Sequence, residues 1–212
     1  MKAYLESTRY VDSDHPEVIS FSERNSPGKN NLERAVSLYY AVRDGIRYNP
    51  FLDFSKDVSF QASHCLVVGE GFCIGKAALL AACARVAGVP ARVGFADVRN
   101  HLTTPALRAR MGSDLFVYHG FTELWLEEKW VKATPAFNVE LCRRFNVKPL
   151  EFDGREDSIF HPFDADERRH MEYVGYRGSH ADVPVAEIMR EFRERYPGLY
   201  GLGGDAARER FG

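Results

Sequence analysis

The apolar positions of this chain change period near residue 90, helical before it and strand-like after it. Around Pro16, Asp14 and Glu17 have capping-box spacing, which predicts a short helix running to about residue 23. Asn30, with Glu33 three residues on, starts a second helix whose apolar face is Leu32, Ala35, Val36, Tyr39, Tyr40 and Val42, until Gly45 interrupts it. Residues 49–71 show no sustained periodicity and read as an irregular approach segment. Residues 74–88 are an apolar run ending at Gly88 and Pro90, the mark of a buried helix. Residues 90–97 then alternate as a strand, 114–126 do so more strongly, and a third strand follows at 129–134. The link over 98–113 is a surface loop or a short helix placed to cover a cleft.

The last two strands carry their own register. With Glu127 and Glu128 as a two-residue turn, Trp125 opposes Trp130, Glu123 opposes Lys132 and Phe121 opposes Thr134. A slip by one residue would turn one strand over and lose the aromatic and the charge pair together. In this register His119, Phe121, Glu123 and Trp125 share a face with Trp130, Lys132 and Thr134, so Thr134 is the diagonal neighbour of His119.

The final third is less patterned. A short helix is expected near 138–144, a strand over 148–152 entering a turn at Asp153-Gly154, and another strand over 170–176. A helix capped by Asp182 runs on toward Tyr196 and stops at Pro197-Gly198. The charged residues between Asp164 and Arg169 read as a solvated face. Gly201-Leu202-Gly203-Gly204 follows no strand and opens no helix, so it lacks the context of a phosphate-binding loop, and the tail is expected to be mobile.

Composition narrows the function. The chain has 212 residues, 45% hydrophobic and 27% charged, with a net charge of −2. It is expected to form one domain over 1–212, with N-terminal helices at 14–46, a core at about 50–138 and an extension at 139–212. No excess positive charge favours nucleic acid or anionic lipid, so neither partner is expected. The N-terminal residues lack an apolar signal core and no stretch approaches a membrane span, so a cytoplasmic location is expected. Cys65, Cys73, Cys83 and Cys142 are irregularly spaced and are expected to stay reduced.

Cys73 is the candidate nucleophile, because it stands at the first turn of the 74–88 helix, where free N–H groups and the helix dipole favour thiolate. Gly71 beside it leaves room for a substrate backbone. Cys83, inside the same helix, reads as a small hydrophobe. His64, Cys65 and Cys73 match no zinc spacing, and neither a metal nor a cofactor is expected. His101 reads as a solvated loop residue, and Lys76 as one half of a structural ion pair.

The blocks Gly71-Phe72-Cys73 with Lys76-Ala77, Arg85-Val86-Ala87-Gly88-Val89-Pro90-Ala91-Arg92-Val93, His119, and Trp130-Val131-Lys132-Ala133-Thr134-Pro135 resemble, in order and spacing, the transglutaminase-like superfamily of papain-like cysteine enzymes. The resemblance spans roughly 36–138 and implies an α+β fold, with the cysteine-bearing helix packed on an antiparallel sheet. It implies Cys73 as nucleophile on an amide of a peptide or protein, His119 as acid and base, and thioester chemistry ending in hydrolysis or in transamidation. The Cys73 N–H and a neighbour in the preceding loop are the implied oxyanion donors. Where the family usually has an aspartate, this chain has Thr134, which can fix the imidazole but brings no negative charge. Asp97, Asn138 and Asp114 are alternative third partners, and a catalytically weak binding module is the rival reading.

Overall fold

A computed structural model of the chain describes residues 1–101, 104–160, 166 and 171–199. The elements in order are α1 (Pro16–Asn25), α2 (Asn31–Gly45), β1 (Arg47–Tyr48), α3 (Ala62–Val68), β2 (Glu70–Gly71), α4 (Cys73–Val86), β3 (Ala91–Asn100), α5 (Pro105–Met111), β4 (Leu115–Leu126), β5 (Lys129–Ala133), α6 (Val139–Arg144), β6 (Met171–His180) and α7 (Val185–Arg195), with short 3-10 turns at Lys2–Tyr4 and Asp57–Phe60. Every residue from Ile74 to Arg85 is buried, so α4 is the central element and needs no polar face. Helices α1, α2 and α3 pack on it, and the sheet β5-β4-β3-β6, antiparallel throughout, packs on it through β3 and β4. This is the α+β arrangement the resemblance implies.

Two short-range chemistries place α4. The Thr122 hydroxyl of β4 donates to the Ala77 carbonyl at 2.8 Å. Buried Lys76 donates from Nζ to the carbonyls of Arg43 and Ile46, at 2.9 and 2.6 Å, and so closes the C-terminal end of α2. The expected ion pair of Lys76 is therefore replaced by backbone capping. Burial holds this ammonium down at about 7. Arg85 is likewise spent on carbonyls, those of Glu6, Ala91 and Ala181.

The hairpin register holds. Trp125 pairs with Trp130 and Glu123 with Lys132 across β4 and β5, and Glu127 and Glu128 form the two-residue turn with φ of 45° and 65°. The charge pairing differs: the Glu123 carboxylate takes the Arg92 guanidinium of β3, its partner on the other side, while Lys132 reaches Asp157 at 3.5 Å. Arg92 wins because its guanidinium also lies over the Trp130 ring, 4.1 Å from the centroid.

Other expectations are corrected. Residues 49–71 contain α3 and β2, which pairs in parallel with β1 just ahead of the segment; α3, at seven residues, is too short to show a period. Gly71 also has a packing reason, since a Cβ there would lie 2.4 Å from the Cys65 sulfur. The α1 cap is His15, whose Nδ1 accepts from Glu17 N–H, while Asp14 binds Ser7; the Asn30 cap of α2 is as expected. Asp182 caps no helix but accepts from the N–H groups of Tyr10 and Val11, tying the two ends of the chain together. No strand forms at 148–152, where the Leu150 carbonyl instead accepts from Tyr39 and Arg43. The glycine-rich tail and most of the 164–169 segment lie outside the described residues.

Candidate active site

Cys73 is the first residue of α4, with Phe72 as N-cap. Gly71, two residues earlier, pairs with Tyr48, so the β1-β2 pair carries that tyrosine to the cysteine. From the other side β4 arrives with Gly120 against the start of the helix: a Cβ at Gly120 would stand 2.9 Å from the Ile74 Cα. Only a glycine permits this approach, which sets His119 beside the helix N-terminus.

Cys73 and His119 line one narrow cleft of about 40 Å³. Its lining is largely apolar: Pro50, Phe54 and Phe72, Leu107 and Met111 of α5, and Phe116 and Val117 of β4. Phe192 of α7, with Tyr196 and Leu199 after it in the chain, completes the lining. The polar groups on this surface are the thiol, the imidazole and the phenols of Tyr48 and Tyr196. Helix α5 and α7 thus both cover the cleft, as expected for the 98–113 link and not expected for the C-terminal helix.

Burial pushes the Cys73 thiol up to about 11, against backbone hydrogen bonds from Gly120, Ile74 and Cys73 itself that favour thiolate. Burial likewise raises the phenols of Tyr48 and Tyr196, and the nearby Cys73 sulfur adds to both. Tyr196 is fixed by two bonds to β4: Val117 N–H donates to its oxygen, and its hydroxyl donates to the Leu115 carbonyl, each at 2.7 Å. The His119 ring is almost fully buried and lies 5.1 Å, centroid to centroid, from Phe160.

The four candidate third partners are unequal. Asp97 is engaged by Tyr118 N–H and Arg177, Asp114 by Arg99 and Arg108, and the Asn138 side-chain carbonyl by Tyr48 N–H. Thr134 is buried outside the cleft lining, its backbone bonded to Ser158 and Tyr39, while its hydroxyl makes no hydrogen bond among the described residues. His101 stands away from the cleft, 3.4 Å from Glu172. Tyr48 and Tyr196 escaped the sequence reading; the single available signal for Tyr196 was its place at the end of an amphipathic helix.

With this geometry in place, the comparisons with known proteins are specific. Residues 20–135 match the profile of the transglutaminase-like superfamily, and the chain belongs to that family of cysteine-based enzymes. No curated protein matches it significantly. A solved structure described as a proposed cysteine protease from Cytophaga hutchinsonii is similar at a TM-score of 0.49 and 16% identity, covering 84% of this chain. This chain spans 53% of that one. Among the described residues no helix is long and apolar enough to cross a membrane.

Proposed function

We propose that the protein carries out thiol-dependent acyl transfer on an amide bond, with Cys73 as nucleophile and His119 as acid and base. The observation that carries this is the convergence of Cys73, at the first turn of α4, and His119 on one apolar cleft, in a chain of the transglutaminase-like family. His119 takes the Cys73 proton as the sulfur attacks the acyl carbon, and the oxyanion that forms is met by the Cys73 N–H at the helix end. The C–N bond then breaks, the amine leaving with the proton from imidazolium and the acyl group remaining as a thioester. Water, deprotonated by His119, completes hydrolysis; a primary amine in its place would give transamidation.

Hydrolysis is the preferred outcome. The apolar walls favour a substrate whose acyl side is apolar, within a peptide or protein. Four free thiols fit a reducing compartment, so we place the protein in the cytoplasm. A catalytically weak binding module is the second reading, favoured by Thr134 at the usual acidic position and by the raised Cys73 thiol. Incubation with p-nitrophenyl esters of apolar acids, followed by intact mass analysis, tests the two. An acyl adduct on Cys73 that water discharges supports the hydrolase, discharge to an added primary amine supports the transamidase, and no adduct supports the binding module.

A further inference from the structure

The backbone beside His119 is irregular, and the irregularity has a specific support. Tyr118 has φ of 54°, the left-handed region that a bulky residue rarely adopts. It lies where the β3-β4 register shifts: Ala96 pairs with His119 and Val98 with Phe116, so Asp97 faces both Val117 and Tyr118. This is a bulge, a device that re-aims the side chains after it. The Asp97 carboxylate accepts the Tyr118 N–H at 3.1 Å and the Arg177 Nε–H at 2.6 Å. Arg177, on β6, lies over the Tyr118 ring at 4.5 Å from its centroid and reaches Glu191 of α7 at 3.6 Å. One carboxylate therefore fixes the strained peptide, and one guanidinium fixes both that carboxylate and the ring.

We propose that Asp97 is a positioning residue, which by binding the Tyr118 N–H holds Tyr118 in its left-handed conformation and so aims His119 at Cys73. This rests on the acid-base role of His119 given above. Asp97 does not act on the imidazole, as the missing family aspartate would; it acts through the backbone one residue earlier. Arg177 is the brace that keeps its carboxylate in place.

Strain at Tyr118 is what the substitutions relieve or restore. Asp97→Ala removes the acceptor and lets residue 118 relax, displacing His119. Glycine at 118 adopts positive φ without cost, so Tyr118→Gly in the Asp97→Ala background restores the bulge without its support. Asp97→Asn keeps an oxygen for the N–H and tests the bond apart from the charge.

The readout is the His119-dependent part of Cys73 alkylation by iodoacetamide below neutral pH, together with the NMR signal of the His119 ring, identified with His119→Ala, in variants checked by thermal melting. We expect Asp97→Ala to slow that labelling about tenfold or more and to move the ring signal, Asp97→Asn to keep most of it, and the double variant to recover both. An unchanged pH profile in Asp97→Ala, or a loss that Tyr118→Gly does not restore in a natively melting protein, overturns the proposal. If the wild-type protein shows no His119-dependent labelling, the acyl-transfer reading fails and the ring signal decides alone. Movement in Asp97→Ala with return in the double variant then upholds the positioning, and a fixed signal overturns it.

Discussion

The two halves of β4 are built on opposite terms. From Thr122 to Leu124 the strand has a regular partner on each side, paired residue for residue with β3 and β5, and the pairing with β5 continues to Leu126. From Leu115 to His119 its pairing with β3 is broken by the bulge at Tyr118, and on the other side the Tyr196 phenol takes the Leu115 carbonyl and the Val117 N–H. The regular half holds the sheet against α4, and the irregular half carries the histidine. Stability and placement of chemistry are thus divided along one strand, as expected where strain is tolerated only at a site that the surroundings over-determine.

The sharpest way to break this division is at its boundary. Gly120→Val puts side-chain atoms where even a Cβ would be 2.9 Å from the Ile74 backbone, so α4 and β4 must separate at the Cys73 end. A loss of about 3 kcal/mol in urea unfolding is expected, with Cys73 labelling altered at the same time.

Lys76 tests the frame behind the regular half. Its folded-state value, about 7, lies below its ordinary 10.5, so the unfolded chain binds the proton first as pH falls. Stability should therefore decline as pH is lowered from about 10.5 towards 7 and level off below it, by up to a few kcal/mol. In Lys76→Met this limb of the stability profile should flatten.

On the irregular half, Tyr196→Phe keeps the ring and removes both bonds to β4, at a cost of about 1–2 kcal/mol. Iodoacetamide should then label Cys73 several times faster, with Cys65, Cys83 and Cys142 unchanged. Parallel acceleration at all four would indicate global unfolding instead of local opening.

The smallest effect belongs to the hairpin turn. Glu127 and Glu128 both hold positive φ without being glycine or asparagine. Replacing them by Asn-Gly should stabilise the protein by about 1 kcal/mol in thermal melting and leave the Cys73 pH profile untouched.

The same division explains what could be read from the chain. The hairpin was legible because a period of two, a tryptophan pair and a turn of fixed length all demand one register. Helix α4 was legible as an apolar run, and Cys73 and His119 as residue types at family spacing. The charge partner of Glu123 was not, because Arg92 competes from a strand whose register with β4 is set by a longer connection. Nor was the bulge: nothing in a tyrosine codes for positive φ, and its support, Arg177, lies 80 residues beyond Asp97. Tyr48 and Tyr196 reach the cleft from opposite ends of the chain, on elements whose local sequence carries no chemical motif. Long-range positioning of ordinary residues leaves no local trace.

The central claim is a working Cys73–His119 pair, and its most direct test is the pH dependence of iodoacetamide labelling at each cysteine of the folded protein, resolved by peptide mass spectrometry, with His119→Ala beside it. Cys73 should label faster than Cys65, Cys83 and Cys142 below neutral pH, and His119→Ala should remove the advantage. Cys73 labelling with the profile of an ordinary or buried thiol, unaltered by His119→Ala, would contradict the claim.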